Sequence, residues 1–305
     1  KKTKLPMAVA LAALLLSYSP SPRPALPPPR FSAALQLTSA AAQRSDGVLP
    51  LPASPLPRFA WRTVVTFAAN PAAFLVIPLL FRFAPGLDVL GANWATDRMA
   101  LRHGLVGTAP LLALTLLPLD RIKALSSLRE VTTASKTICL YAFGARLVPL
   151  RAFAAATLLA GSAAVCEELA FRGALMGGAE RLCLQLLPPR ICALIALAAQ
   201  ALLFGRLHSY TASAAYFAAA TVAGCAFGAA FLATRNLAVP VLMHFAVDMV
   251  SFLVCHVQVS RSGEAEQRRL IGGDSPIATA LRGLVGVPPG APPRADERSA
   301  PQQGA

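Results

Sequence analysis

The chain has 305 residues, of which 55% are hydrophobic and only 14% are charged. Soluble domains carry about 25% charged residues, so this composition excludes an ordinary soluble protein and indicates an integral membrane protein. The net charge of +14 raises nucleic acid as a partner, but the sequence has no basic stripe interleaved with aromatic residues, and no nucleic-acid binding is expected. The basic residues lie between and outside the apolar segments, where they set topology and contact anionic lipid.

The N-terminal segment, residues 1–60, is predicted to be a targeting or disordered region rich in proline and alanine. Lys1, Lys2 and Lys4 precede a short apolar run that resembles a secretory signal, and the acid-poor stretch after it is typical of an organelle transit peptide. Together these features predict a plastid or endoplasmic reticulum membrane. The alternative for the same residues is a disordered proline-rich tail.

The membrane region is predicted from about residue 61 to 257 as an all-α, polytopic transmembrane helical bundle. A span needs about 20 apolar residues, which makes the second and fourth segments marginal. The six predicted spans are 63–81, 104–119, 152–178, 191–208, 212–233 and 237–257. Lys and Arg are concentrated on the side that carries both termini, which orients that side to the cytosol or stroma. Residues 258–305 are predicted to be a disordered tail.

Two of the spans carry glycines four residues apart, Gly173 with Gly177 and Gly224 with Gly228. Small residues at this spacing let two membrane helices approach closely. Chance is the alternative in a chain so rich in alanine and glycine, and the sequence alone does not decide between them.

Ionisable residues inside the apolar segments are the strongest functional signal, because charges at bilayer depth are costly and usually functional. The third span carries Glu167, Glu168 and Arg172. In a helix Glu168 and Arg172 are four residues apart on one face, so they are expected to form an ion pair. Glu167 points about 100° away from Glu168, which leaves it as the candidate for a general base.

Two further spans carry histidines. His208 ends the fourth span one helical turn after Phe204, and His244 precedes Asp248 by one turn on the same face of the sixth. Asp248 is expected to accept a hydrogen bond from a ring nitrogen of His244. The simpler alternatives are a favourable helix-end dipole for His208 and helix packing for the His244–Asp248 pair. Taken together, the three segments predict one shared polar cavity.

Two hydrolytic mechanisms fit these side chains. In the first, Glu167 and His208 activate a water molecule while His244 and Asp248 bind the developing oxyanion. In the second, Glu167, His208 and His244 ligate a zinc ion that activates the water. No HExxH helix is present, so the expected cofactor is either none or zinc. A thiol mechanism through Cys166 is less favoured, because no histidine lies at helical spacing from it.

The three motifs, in this order, resemble those of the CPBP intramembrane protease family. They are Glu167-Glu168-Leu-Ala-Phe-Arg172-Gly173, then Phe204-Gly-Arg-Leu-His208, then His244-Phe-Ala-Val-Asp248. The family includes the type II CAAX prenyl endopeptidases and bacteriocin-processing or immunity proteins. The similarity covers about 150–257, which would form the protease core of the membrane domain.

The resemblance implies a helical-bundle endopeptidase that cuts peptide bonds of membrane-associated or prenylated, CAAX-type proteins. The implied partners are membrane lipid and the protein or peptide substrate. The alternative is a non-catalytic membrane scaffold or immunity-type protein of the same fold, whose polar residues only hold the helices together. A transporter is a further alternative, but the spans lack the matched, broken halves of inverted repeats.

The resemblance also implies roles for individual residues. Glu167 with His208 would activate the water, and His244 with the residue at position 248 would form the oxyanion site. The supporting residues would be Glu168, Arg172 and Phe204. Prenyl endopeptidases often carry Asn where this chain has Asp248. An ionised aspartate repels an oxyanion, so Asp248 is expected either to be protonated or to act through His244.

Overall fold

The computed structural model describes residues 56–81, 94–117, 127–208 and 214–272. Within these ranges the chain forms eight helices and no strand, which confirms the all-α prediction. The helices are α1 (Trp61–Phe81), α2 (Arg98–Leu116), α3 (Leu128–Phe143), α4 (Pro149–Cys183), α5 (Pro189–His208), α6 (Ala214–Thr234), α7 (Ala238–Arg261) and α8 (Glu264–Gly272). The predicted targeting segment up to residue 55 lies outside the described residues, as do residues 273–305.

Six of these helices, α1, α2 and α4 to α7, are long and apolar enough to cross a membrane. Their number agrees with the predicted spans, and the protein is a multi-pass membrane protein. Their outer surfaces are apolar, with Leu105, Leu150 and Leu194 each exposing more than 60% of their surface. In water such exposure would be unfavourable, but hydrocarbon lipid tails solvate it.

The helix α3 was not predicted, because its sequence mixes charged and apolar residues and falls short of a span. Its 16 residues cover less than the roughly 20 needed to cross a bilayer. One face buries Ala134, Thr137 and Leu140, and this face packs against α7. The helix ends at Gly144, whose φ of +79° is accessible mainly to glycine. A Cβ there would also lie 2.6 Å from the backbone nitrogen of Phe59.

The predicted disordered tail begins too early. Helix α7 continues to Arg261, and α8 folds back against the bundle. The buried Gln267 donates from Nε2 to the carbonyls of Ala145 and Val259, at 3.2 and 2.9 Å. Leu270 packs into a cluster with Val259. Over residues 258–272 the prediction of disorder is therefore wrong, because α8 buries one apolar and one amide side chain.

The position of α7 determines where His244 lies. This helix packs against α2, α3, α4 and α6, so it occupies the centre of the described bundle. The turn before it is fixed by Arg235, which has a φ of +50° and donates two hydrogen bonds to Glu180 at 2.6 and 2.7 Å. Asn236 accepts bonds from the backbone nitrogens of Ala95 and Ala238. These contacts join the start of α7 to α4 and to the segment before α2.

Helices α5 and α6 approach each other closely at glycines. A Cβ on Gly224 would lie 3.2 Å from the Cα of Ala201, and one on Gly228 would lie 2.5 Å from Nε2 of Gln200. The Gly224–Gly228 pair therefore lies at a helix–helix interface. A Cβ on Gly177 would meet no atom of another helix within 4 Å, so the spacing of Gly177 has no such explanation.

Substitution at Gly224 should therefore destabilise the fold. We expect Gly224→Val to lower the free energy of unfolding by about 1–3 kcal/mol, because the obstructing atom belongs to the backbone of α5. Gly161→Ala is the matched control, since a Cβ there meets nothing within 4 Å and alanine favours a helix. Thermal unfolding of both variants in detergent, followed by circular dichroism, measures the difference. Wild-type stability of Gly224→Val would contradict the close packing.

Candidate active site

The two glutamates of the third span lie where the helix α4 changes its form. The regular α-helix extends to Glu168, and the following stretch, Leu169–Met176, is a π-helix. Such stretches are rare and frequently lie at functional sites, because the wider turn redirects neighbouring side chains. No pattern in the sequence indicates this π-helix. The π-helix follows directly after Glu167 and Glu168, and the regular helix resumes at Gly177.

The predicted ion pair between Glu168 and Arg172 is present. A guanidinium nitrogen of Arg172 donates to Oε1 of Glu168 at 2.9 Å, and both side chains are fully buried. The other terminal nitrogen donates to the carbonyl oxygen of Gly224 at 3.0 Å. Gln200 donates to the same carbonyl at 3.0 Å. Arg172 thus joins α4 to α6, and Gln200 adds a link from α5 to the same carbonyl.

Aromatic rings surround the buried arginine. The guanidinium carbon lies 4.8 Å from the ring centroid of Phe204 and 5.3 Å from that of Phe227. A ring face attracts a cation, most strongly when water is excluded. The same rings contact the histidines: Phe227 stacks on His244 with centroids 4.9 Å apart, and Phe204 lies 4.3 Å from the ring of His208. These two phenylalanines therefore position both imidazoles relative to Arg172.

His244 lies between two carboxylates. Its Nδ1 is 2.8 Å from Oε1 of Glu168, and its Nε2 is 3.4 Å from Oδ2 of Asp248. The sequence predicted Asp248 as the hydrogen-bond partner, whereas the short hydrogen bond is made with Glu168. A neutral imidazole carries one N–H and satisfies one of these carboxylates. A ring with hydrogen on both nitrogens satisfies both.

Glu167 faces the other histidine. Its Oε2 lies 3.6 Å from Nε2 of His208. Nδ1 of His208 is 2.8 Å from the carbonyl oxygen of Phe204, one turn earlier in the same helix. Glu167 is 8% exposed, whereas the side chains of His208 and Asp248 are 24% and 29% exposed. The cluster therefore runs from a dry interior at Arg172 to a more accessible edge at His208 and Asp248.

The seven catalytic and supporting residues predicted from the three motifs belong to one connected cluster. Its members are Glu167, Glu168, Arg172, Phe204, His208, His244 and Asp248. Three further members were not predicted: Phe227, Gln200 and the carbonyl of Gly224. Gln200 was detectable, since a polar amide within an apolar span is itself unusual. Phe227 and Gly224 carried no such signal, because both are ordinary residues of an apolar helix.

A zinc ion does not fit this arrangement. Among the described residues no group of three or more His, Cys, Asp or Glu side chains is placed to hold a metal ion. Both ring nitrogens of His244 face carboxylates, and Glu168 already pairs with Arg172. Glu167 and Nε2 of His208 remain, but catalytic zinc sites use three protein ligands. We therefore derive no step through a metal.

Comparison with known protein families gives a match over the segment that carries the site. Residues 149–250, about a third of the chain, match the family model described as Type II CAAX prenyl endopeptidase Rce1-like. The match confirms the resemblance to the CPBP family. The matched residues 149–250 contain every residue of the three motifs, from Glu167 to Asp248. Neither a curated protein nor a solved structure matches the chain.

Proposed function

We propose that this protein is an intramembrane endopeptidase that hydrolyses peptide bonds of membrane-associated or prenylated, CAAX-type proteins. Glu167 and His208 activate the attacking water, and His244 binds the oxyanion. Support comes from the family match over 149–250, which implies protease activity at the level of the family. The geometry of the polar cluster supplies the rest of the argument.

The contact between Glu167 and His208 carries the proposal. Nδ1–H of His208 donates to the carbonyl of Phe204, which leaves Nε2 of the neutral ring as an acceptor. The facing atom, Oε2 of Glu167, is also an acceptor when ionised, is buried, and has no hydrogen-bond partner among the described residues. A water molecule has two hydrogens to donate, so it can bond to both acceptors, Nε2 of His208 and Oε2 of Glu167. That water is held beside a general base.

The chemical steps follow from these positions. Glu167 takes a proton from the water, and the resulting hydroxide attacks the carbonyl carbon of the scissile peptide bond. The carbonyl electrons move onto oxygen and form a tetrahedral oxyanion. As the C–N bond breaks, Glu167 returns its proton to the departing amine, so the carboxylate is regenerated. The products are a carboxylic acid and an amine.

His244 is the group best placed to stabilise the oxyanion. The buried carboxylate of Glu168 fixes one side of its ring, and the other nitrogen lies at the more accessible edge beside Asp248. The 3.4 Å contact with Asp248 is longer than an ordinary charge-assisted hydrogen bond, so the Nε2–H remains available to a stronger acceptor that approaches it. A preorganised donor of this kind contributes through electrostatic stabilisation of the transition state.

Asp248 should matter less than Glu168 for this role. We expect Asp248→Asn to retain peptidase activity within about tenfold of wild type, because the short hydrogen bond that orients His244 is made by Glu168. Glu168→Gln should lower kcat more strongly, since an amide accepts a weaker bond from the ring. Initial rates at saturating substrate compare the two variants. A larger loss in Asp248→Asn than in Glu168→Gln would reverse the assignment.

The substrate class is tested with purified protein in liposomes. A farnesylated peptide ending in a CAAX sequence should be cleaved, with products identified by mass spectrometry. The same peptide without the prenyl group separates prenyl recognition from peptidase activity. Failure to cleave either peptide or any membrane-anchored substrate, by folded protein, would contradict the proposed peptidase and favour a scaffold.

Activity should survive removal of metal. The described cluster provides too few free ligands for a catalytic zinc site, so dialysis against a chelator should leave the cleavage rate unchanged. Elemental analysis of the same sample checks that metal has been removed. Stoichiometric zinc in the active protein, together with loss and zinc-dependent recovery of activity, would show the metal mechanism instead.

We also propose that the protein resides in the endoplasmic reticulum or in a plastid membrane, on the basis of its N-terminal residues. Fluorescence microscopy of a C-terminal fusion, with organelle markers, distinguishes the two. Exclusive location in the plasma membrane would contradict both.

A further inference from the structure

A second polar site lies apart from the proposed active site, at the end of the bundle where α4 begins. Here an open pocket of about 640 Å³ is lined by the segment before α1, the turn after α3, the start of α4, and α8. The charged and amide side chains that line it are Arg58, Arg146, Arg151, Glu264, Gln267 and Arg268. Arg151 precedes Glu167 by 16 residues, or about 24 Å of helix. The pocket is therefore distinct from the cluster around Glu167.

The charge of this arginine pocket is strongly positive. Four arginines face a single acid, Glu264, and that acid already pairs with Arg268 at 2.5 Å. Among the described residues, the salt bridges do not include Arg58, Arg146 or Arg151. Like-charged guanidinium groups that line one pocket repel one another, and guanidinium is well matched to phosphate. Arg58, Arg146 and Arg151 are exposed and so accessible to a ligand, and the guanidinium carbon of Arg151 lies 5.9 Å from the ring centroid of Phe59. The pocket therefore suits a phosphate-bearing ligand.

The surroundings of the pocket place it at the surface of the membrane. Phe59, in its wall, makes an edge-to-face contact with Trp61, the first residue of α1, at 5.2 Å between centroids. Tryptophan is enriched where membrane meets water. On the first turns of α4, Leu150 is adjacent to Arg151 in the sequence and is 88% exposed, and Phe153 is 58% exposed. Neither lines the pocket itself, but both lie on the helix that carries Arg151, and they form an exposed apolar rim outside the pocket.

We propose that the arginine pocket binds the phosphate head group of an anionic phospholipid, whose acyl chains lie along Leu150 and Phe153. A soluble phosphate would use the arginines but would leave the apolar rim uncovered. The pocket also lies on the side of the bundle predicted to face the cytosol or stroma, to which juxtamembrane basic groups draw anionic lipid. Gln267 also lines the pocket, and its buried amide donates hydrogen bonds to the carbonyls of Ala145 and Val259.

The location of Trp61 provides a direct test. The chain has two tryptophans, so full-length Trp94→Phe protein in detergent reports on Trp61 alone. Brominated phosphatidylglycerol should quench this fluorescence at much lower concentration than brominated phosphatidylcholine. Each basic group near a membrane surface strengthens anionic-lipid binding about fivefold, so Arg58→Gln/Arg146→Gln/Arg151→Gln should weaken phosphatidylglycerol binding about a hundredfold. Wild-type quenching by phosphatidylglycerol in this triple variant would overturn the proposal.

Matched controls separate the pocket from general charge. Arg98→Gln/Arg181→Gln/Arg190→Gln removes three exposed arginines from the opposite end of the bundle, away from the pocket, and should change binding several-fold at most. An equal loss in both triple variants would overturn the proposal.

Two further measurements complete the test. Glu264→Gln removes the single acid of the pocket, so binding of phosphatidylglycerol should tighten about fivefold. A gain of affinity cannot arise from misfolding. Inorganic phosphate at equal concentration should not compete with the lipid, because it lacks the acyl chains. Efficient competition by inorganic phosphate, or no gain in Glu264→Gln, would overturn the assignment to a lipid.

Discussion

Glu167→Gln should abolish peptide cleavage while leaving the folded protein intact. The amide matches the carboxylate in size but accepts no proton from water, so the loss should be about 10²–10⁴-fold in kcat. Because Oε2 of Glu167 has no hydrogen-bond partner among the described residues, the substitution breaks no hydrogen bond of that atom. Cleavage of the farnesylated peptide by purified variant and wild type gives the ratio.

A matched substitution distinguishes catalysis from a general loss of negative charge. Glu130 is an exposed acid on α3, away from the cluster, and Glu130→Gln should cleave at the wild-type rate. The unfolding midpoint of Glu167→Gln should equal or exceed that of the wild type, because a buried charge is removed. Undiminished cleavage by a well-folded Glu167→Gln would end the proposal of a glutamate-activated water.

Arg172→Met should destabilise the fold more than any other single change in the cluster. Arg172 is fully buried, and its removal leaves the carboxylate of Glu168 without its arginine and the carbonyl of Gly224 without that donor. Breaking a buried ion pair by removing one partner costs about 3–5 kcal/mol. Chemical denaturation in detergent, followed by tryptophan fluorescence, measures the change in the free energy of unfolding.

Two further variants test whether the effect belongs to the pair. Glu168→Gln/Arg172→Met should lose less stability than the sum of the two single variants, because the double variant has no uncompensated buried charge. Arg269→Gln is the exposed control, and it should cost less than about 1 kcal/mol. Its hydrogen bonds hold the pKa of the Glu266 carboxyl below its usual value, yet both groups are accessible to solvent. Strict additivity in the double variant would show that the pair does not act as a unit.

The sequence predicted those parts of the fold that follow from local spacing. Six apolar segments predicted the membrane spans, and the four-residue interval between Glu168 and Arg172 predicted their ion pair. Helix α3 was not predicted because it is short and carries charged residues, so its sequence looks neither like a membrane span nor like a polar loop. Helix α8 was not predicted for a related reason: burying its few apolar groups is favourable only when the helix packs against the ends of α3 and α7.

The contacts between helices could not be predicted in the same way. Glu168 and His244 are 76 residues apart, and no local pattern indicates that this glutamate, rather than the nearby Asp248, accepts the short hydrogen bond. The carbonyl of Gly224 becomes an acceptor for Arg172 only because glycines let α5 and α6 approach. Packing of whole helices decides such pairings, and the arrangement of helices is what a single sequence specifies least directly.

The π-helix in α4 has a consequence for the length of that segment. Regular helix lies on both sides of Leu169–Met176, with the two glutamates before it and Glu180, bound to Arg235, after it. A wider turn accommodates about one residue more than an α-helical turn does. The wide turn absorbs this extra residue, so the regular helix on its two sides stays nearly in phase. A residue inserted in the regular part that follows, between Gly177 and Glu180, would not be absorbed and would rotate Glu180 by about 100° relative to Glu167. Such an insertion would misalign either the carboxylate of Glu167 with His208 or Glu180 with Arg235, even though every side chain of the cluster was retained.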